Sequence, residues 1–346
     1  MLLLAVSVLH LIVALLGIAF NSILILLAVL KTPKSIGTYS MLLIVRAAVD
    51  AFACAADVFS QSRPIPSGLT LGIASTGICK YLGAWSCFLG YSLQLHFHTF
   101  SLHLLVVCFA FRYYVLLERY PKANQLFFVI FLVYFPSFFQ LIFILVDNNS
   151  PDDVRQLVKI HHPDYDLKDF VMNGHTDLRH FPSLFAYLLM LIPALPVCIL
   201  ICSLRRKIHH KLRNAILRPE VREKHRQLTF ALSSQALIPG IFVMSAVVFL
   251  VAQLRIVESP ILESFILLLT VLVPVLNPLF SVALIRPYRE TVMRCVGLDP
   301  KEWSISKDSS VAPGDSSSSM FGSFDASSVA SVSSAFTITE NKNPFE

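Results

Sequence analysis

Charge is what this sequence has least of. Lys, Arg, Asp and Glu make up 14% of its 346 residues, where a soluble domain carries about a quarter, so a water-facing surface wrapped around one core is excluded. A 55% hydrophobic content and a mean hydropathy of +0.68 point the same way. Glycine is also sparse, 12 residues against 27 phenylalanines, which suits helices packed in lipid by bulky side chains. Neither a GxSG-type nucleophile turn nor an HExxH pair occurs, so the chain is not read as an enzyme and no cofactor is expected. No lysine lies between Pro260 and Ile285, which excludes a retinal Schiff base there. No internal repeat favours a transporter. The seven cysteines mostly sit inside apolar runs and do not read as a secreted disulfide framework. Basic residues flank the apolar runs instead of forming a face with aromatics, so nucleic acid is not an expected partner.

What is present is a set of apolar runs, each near or above the roughly 20 residues needed to cross a hydrocarbon core. They cover about Met1–Leu30, Tyr39–Ser60, Cys87–Tyr114, Gln125–Val146, Ser183–Leu204, Leu228–Leu254 and Pro260–Ile285. The first lacks the basic start of a signal peptide and its core is too long for one, so it reads as a span. The second contains Arg46, Asp50 and Asp57, and hydropathy alone would pass over it. The expected fold is an all-α membrane protein, a seven-helix bundle in a lipid bilayer.

Orientation follows from the basic residues. The link Arg205–Arg226 holds nine Lys or Arg against two Glu, whereas the loop Asp147–Pro182 has seven acids against four bases. The basic links therefore face the cytosol and the amino terminus faces outward. His161, His162, His175 and His180 lie in the outer loop without tight ligand spacing, so no metal site is expected. The chain divides into a membrane domain, 1–295, and a segment, 296–346, whose serine-rich composition cannot bury a core. That segment is read as a disordered cytoplasmic tail suited to phosphorylation.

Polar residues inside the spans carry the functional reading. In the third span Cys87, Tyr91, Gln94, His98, Ser101, Cys108 and Arg112 follow a helical period, and His96, Thr99 and His103 lie on the opposite side. A helix polar on both sides has no face for lipid and belongs inside the bundle. Its histidines read either as interhelical hydrogen-bonding groups or as the lining of a pocket. Asn21, Asp50 and Asn277 fall at one depth, roughly 14–18 Å from the inner boundary by the helical rise, and two amides are natural partners for a buried carboxylate. Arg46 stands four residues before Asp50, a spacing that allows pairing. Pro136, Pro193, Pro196, Pro239, Pro274 and Pro278 bend their helices. Beyond them, Glu290–Cys295 reads as a short amphipathic helix on the inner leaflet, with Cys295 a candidate for acylation.

Seven spans with Asn21, Asp50 and the Asn277–Pro278 pair resemble a rhodopsin-type G-protein-coupled receptor. The finer resemblance is to nematode chemoreceptors of the serpentine receptor class delta, within the Str group. It is carried by KTPKSIGTYSMLL from Lys31, QSRPIPSG from Gln61, CKYLGAWSCFLGYSLQLHFHTFSLHLL from Cys79, FRYYVL from Phe111, QLTFALSSQALIP from Gln227 and NPLFSVALIRPYR from Asn277. The resemblance covers about residues 1–295. It implies a receptor in the ciliary membrane of a chemosensory neuron that binds a small molecule and activates a heterotrimeric G protein. The alternatives are a ligand-gated channel or transporter-like seven-span protein, and a non-signalling partner receptor.

The sequence departs from the rhodopsin-type pattern in three places. Phe111 replaces the acid before Arg112, Ser281 or Phe280 replaces the tyrosine after Asn277-Pro278, and the long outer loop has no cysteine for the usual bridge. Cys79 and Cys87 are the replacement pair. Eight helical residues would hold them about 12 Å apart, so a bridge requires a looped Lys80–Ser86, which Gly83 permits. The expected mechanism is a population shift. A small apolar ligand enters the outer halves of spans three, five, six and seven near Tyr91, Gln94, His98 and Gln235. Span six bends about Pro239, the Asn21–Asp50–Asn277–Pro278 network switches, and the G protein engages Arg112, Tyr113 and the basic link.

Overall fold

A computed structural model describes residues 2–32, 37–117, 121–214, 235–295 and Gly297. The seven expected spans are the helices α1 (Leu2–Lys31), α2 (Gly37–Ser60), α3 (Ala84–Leu116), α4 (Ala123–Val146), α6 (Phe181–Asn214), α7 (Ile238–Gln253) and α8 (Pro260–Leu284). Five of these, α1, α3, α4, α6 and α8, are long and apolar enough to cross a membrane on length and composition alone. With 24 residues α2 is long enough, but Arg46, Asp50 and Asp57 depress its hydropathy. All three are buried in the bundle, so their charge never meets lipid. The first part of the expected sixth span, together with 215–226 of the basic link and 298–346 of the tail, lies outside the described residues.

Packing follows the distribution of apolar faces. Helix α4 turns Phe127, Phe128, Phe131 and Phe139 outward, the side expected to meet acyl chains. Helix α3 packs against α2, α4 and α6, while α2 lies between α1 and α3 and touches α8. On the inner side, Leu102, Leu105 and Phe109 of α3 join Ile201 of α6, Phe242 of α7 and Val273 of α8 in one apolar cluster. Helix α6 runs ten residues past its expected end at Leu204 and carries Arg205, Arg206 and Lys207 exposed on its final turns. These cations set that end in the cytosol. There too, helix α9 (Arg286–Cys295) packs on α1 and α8. The buried Tyr288 of α9 shares a 2.7 Å hydrogen bond with Thr32, and Cys295 is exposed.

The outer end carries structure that helical periodicity does not announce. Strands β1 (Ser62–Ser67), β2 (Thr70–Ser75) and β3 (Val171–His175) form an antiparallel sheet in the order β1-β2-β3. Pro64 and Pro66 sit on the edge strand, where a missing N–H is tolerated. Gly174, at φ 136°, faces Leu71, whose carbonyl oxygen would lie 2.0 Å from any added Cβ. Only glycine fits there. Helix α5 (Pro151–His161) lays Val154 and Val158 on Ile65, Ala74 and Met172 of the sheet.

Cys79 and Cys87 are joined by a disulfide with their Cα atoms 4.9 Å apart. A 3₁₀ turn over Ile78–Tyr81 and Gly83 at φ 100° bring them together. The looped stretch is shorter than the expected Lys80–Ser86, because α3 already begins at Ala84.

Candidate functional site

A cavity opens among the outer halves of α3, α6, α7 and α8, with Pro64 of β1 above it. Its unfilled space, counted with the open solvent at its mouth, is about 650 Å³. Tyr91 and His98 line it, as do Leu95, Thr99 and Leu102 on the same helix. Two residues expected there are elsewhere. Gln94 donates from Nε2 to Asp57 Oδ1 at 2.6 Å, and Gln235, just ahead of α7, donates to Ser281 Oγ of α8 at 3.3 Å. The helical turn explains the first correction. At 100° per residue His98 lies about 20° from Tyr91 around α3, whereas Gln94 lies about 60° away, toward α2. Gln235 precedes the turn over Ala236 and Leu237 and belongs to the inner side of that break. The two readings of the α3 histidines both find an instance. His96 Nδ1 bonds the Ser137 carbonyl of α4 at 2.8 Å, while His98 lies on the cavity.

The face of α3 that carries Gln94 forms a seam with α2. Gln94, Ser101 and Arg112 follow at spacings of seven and eleven, as do Asp57, Asp50 and Tyr39 on the antiparallel α2, so each meets a partner on one line. Gln94 meets Asp57, Ser101 donates to Asp50 Oδ1 at 2.5 Å, and Arg112 Nη2 donates to the Tyr39 hydroxyl. The outermost acid gains a further neighbour from α1, His10 Nε2 at 3.2 Å from Asp57 Oδ2. Sequence reading passed over that histidine; the only signal is a lone titratable residue in an apolar run.

At the middle rung, Asn277 Nδ2 donates to Asp50 Oδ2 at 2.8 Å and its carbonyl oxygen accepts from Arg46 Nη2. Arg46 thus reaches Asp50 through Asn277 on α8 and not by the expected direct pairing along α2. Asn21 is also displaced from its expected role. It donates to the carbonyl oxygens of Gly17 and Pro274, each at 2.8 Å, and not to Asp50. The cause is Pro278: lacking an N–H, it leaves the Pro274 carbonyl without its helical donor, and Asn21 fills the gap.

At the inner rung Arg112 is buried, with its guanidinium carbon 4.9 Å from the Tyr39 ring centre. It is turned onto α2, and Tyr39 takes the place of the missing acid. Tyr113, next to it, packs half-buried against the Leu105–Phe109 cluster.

Over the cavity the sheet is fastened by charge. Glu263 of α8 accepts from the Tyr165 hydroxyl at 3.0 Å and pairs with Arg63 Nε of β1 at 3.6 Å, and Arg63 also covers the Tyr165 and Phe170 rings. Burial, with a smaller contribution from Glu263, pushes the Tyr165 hydroxyl above its ordinary pKa. His175 of β3 bonds the Asp147 carbonyl at 2.8 Å. Burial holds its pKa below the ordinary imidazole value, and the nearby Asp147 opposes that shift. The outer histidines are dispersed: His162 reaches the Pro66 carbonyl, while His175 and His180 face Asp147. No metal-holding group of three or more His, Cys, Asp or Glu occurs among the described residues.

Comparison with known proteins bears on the whole membrane region. Residues 6–294 match the family described as "Serpentine type 7TM GPCR chemoreceptor Srd". Serpentine receptor class delta-18 of Caenorhabditis elegans is 36% identical over 290 residues, 82% of this chain and 86% of its own length. Class delta-19 of the same organism is 33% identical over 289 residues, covering 82% and 85%. Class delta-1 is 31% identical over 288 residues, covering 81% and 78%.

Proposed function

Because the chain belongs to the Srd family of serpentine seven-transmembrane GPCR chemoreceptors, we propose that it binds a small molecule and activates a heterotrimeric G protein. Its place is the ciliary membrane of a chemosensory neuron. The observation that carries this reading is the cavity bounded by α3, α6, α7 and α8, with Tyr91 and His98 on its wall and Arg112 on the same helix about four turns inward of His98.

Ligand in the cavity presses on Phe242 and Ser245 of α7, which also line it. Helix α7 starts at Ile238 after a turn and has Pro239 in its first turn, so it can swing there without breaking regular helical bonds. The swing parts Gln235 from Ser281, releases Arg112 from Tyr39, and opens the inner ends of α3 and α6 to the G protein. Ligand favours this arrangement only by its differential affinity for it. Arg112, Tyr113 and the basic link are the coupling surface, and two contacts on α8, Asn21 with the Pro274 carbonyl that Pro278 leaves free and Asp50 with Asn277, form the hinge that holds α1, α2 and α8 in register. Segment 296–346 serves as a cytoplasmic regulatory tail.

The test is ligand-evoked G-protein signalling in cells carrying the wild type or Arg112→Ala at matched surface delivery. Loss of signal in the variant is expected. Wild-type-like signalling would reject the role given to Arg112.

A further inference from the structure

The polar atoms on the cavity wall divide into two kinds. Ser245 Oγ and Thr270 Oγ1 already donate to backbone carbonyls, of Ile266 and Leu267. By contrast, both ring nitrogens of His98 and the Thr99 hydroxyl are buried and have no hydrogen-bond partner among the described residues. His98 is 1% exposed and Thr99 4%, and each such orphan costs about 1–3 kcal/mol when nothing answers it. Unanswered polar atoms gathered on one wall mark where a ligand's polar atom belongs.

The rest of the wall sets the remaining chemistry. Met190, Ala194, Phe242, Phe249, Ile266 and Leu267 supply an apolar surface opposite α3. Among the described residues lining the cavity there is no Lys, Arg, Asp or Glu. The acids around it are engaged elsewhere, Glu263 with Arg63 and Tyr165, Asp57 with Gln94 and His10, Asp147 with His175 and His180. An ammonium or carboxylate entering here would lose its hydration with no counter-charge to meet it, a penalty of several kcal/mol. A pure hydrocarbon would leave His98 and Thr99 unanswered.

We infer that this cavity takes a small, uncharged molecule with a single hydroxyl or carbonyl head seated on His98 and Thr99 and an apolar body against α6, α7 and α8. This rests on the reading of the cavity as the ligand site. A neutral imidazole offers one donor and one acceptor, and a threonine hydroxyl offers both, so alcohols, aldehydes and ketones are all served. Carboxylic acids and amines are excluded by the uncharged wall, and alkanes by the orphaned atoms.

The experiment measures binding without any G protein. The receptor, purified whole in lipid nanodiscs, is heated in the presence of hexanol, hexanal, hexane, hexanoate or hexylamine, and affinity is taken from the concentration dependence of its Tm. Hexanol and hexanal are expected to raise Tm at concentrations about tenfold lower than hexane, and the two ions to have no saturable effect. His98→Phe keeps an aromatic ring but removes both nitrogens, and is expected to erase that tenfold preference while leaving the hexane response in place. Should that variant not fold, Thr99→Val carries the same expectation with a smaller loss, and His98→Gln should keep the preference. Equal response to hexane and hexanol, a stronger response to hexanoate or hexylamine, no response to any probe, or a preference that survives His98→Phe would each overturn the inference. Signalling failure with intact hexanol binding would instead sink the coupling mechanism and leave this assignment standing.

Discussion

Asn21 of α1 donates to the carbonyl of Pro274 on α8 at 2.8 Å, the one backbone acceptor that Pro278 deprives of its helical donor. A side chain on the first span thereby supplies the hydrogen bond that Pro278 removes from the seventh. The arrangement lets α8 carry a proline at the depth of Asp50 and Asn277 without leaving an unanswered carbonyl in a dry interior, where it would cost several kcal/mol.

Asn21→Leu is therefore expected to lower thermal stability by about 1–3 kcal/mol. In a Pro278→Ala background, where an N–H returns to the Pro274 carbonyl, the same change should cost less. A double-mutant cycle on detergent-solubilised receptor measures the difference; additive costs would show that the two residues do not share this carbonyl.

The Asp50 carboxylate reaches Arg46 only through Asn277, yet the three behave as one buried charge system. Arg46→Met alone leaves a carboxylate without a counter-charge, and Asp50→Asn alone leaves a guanidinium without one. Each is expected to cost about 3–5 kcal/mol, and the pair together much less than the sum. Strictly additive losses would argue against the relay through Asn277.

How much of this was legible in sequence differs from element to element. The spans were, because a bilayer demands about 20 apolar residues in a row, and α2 was the weakest of them because Arg46, Asp50 and Asp57 interrupt its run. The sheet was not. Ser62–Ser67, with two prolines in six residues, has no strand character of its own and is held extended by its partner β2 and by burial under α5. In the site, the polar stripe on α3 was visible but its division was not. A rotation of about 40° between Gln94 and His98 sends one to α2 and the other to the cavity, and only packing reveals which neighbour stands at each angle. Thr99, placed with the opposite side, lines the same cavity.

The outer sheet should weaken in acid. His175 has a folded-state pKa held below its unfolded value by burial. The stability this histidine contributes is therefore present above the unfolded value of about 6.5. It is lost as pH falls below that value, where the unfolded segment gains a proton that the folded one refuses. Hydrogen exchange in β3 is expected to accelerate between about pH 7.5 and 5.5 in the wild type and to change less in His175→Phe, whose ring keeps the contacts with Phe88 and Tyr187. Acceleration of the same size in both would assign the acid effect to another group.

The most direct test of the receptor account fills the cavity and reads the G protein. Ala246 of α7 lines the cavity, and Ala246→Phe places a ring in the space a ligand would take. With membranes of matched receptor content, an agonist should drive nucleotide exchange on the G protein in the wild type and fail to do so in Ala246→Phe, while agonist-independent exchange and Tm stay near wild type. Undiminished agonist-driven exchange in the filled variant would contradict the account, as would an agonist-evoked ion current from purified receptor with no G protein present.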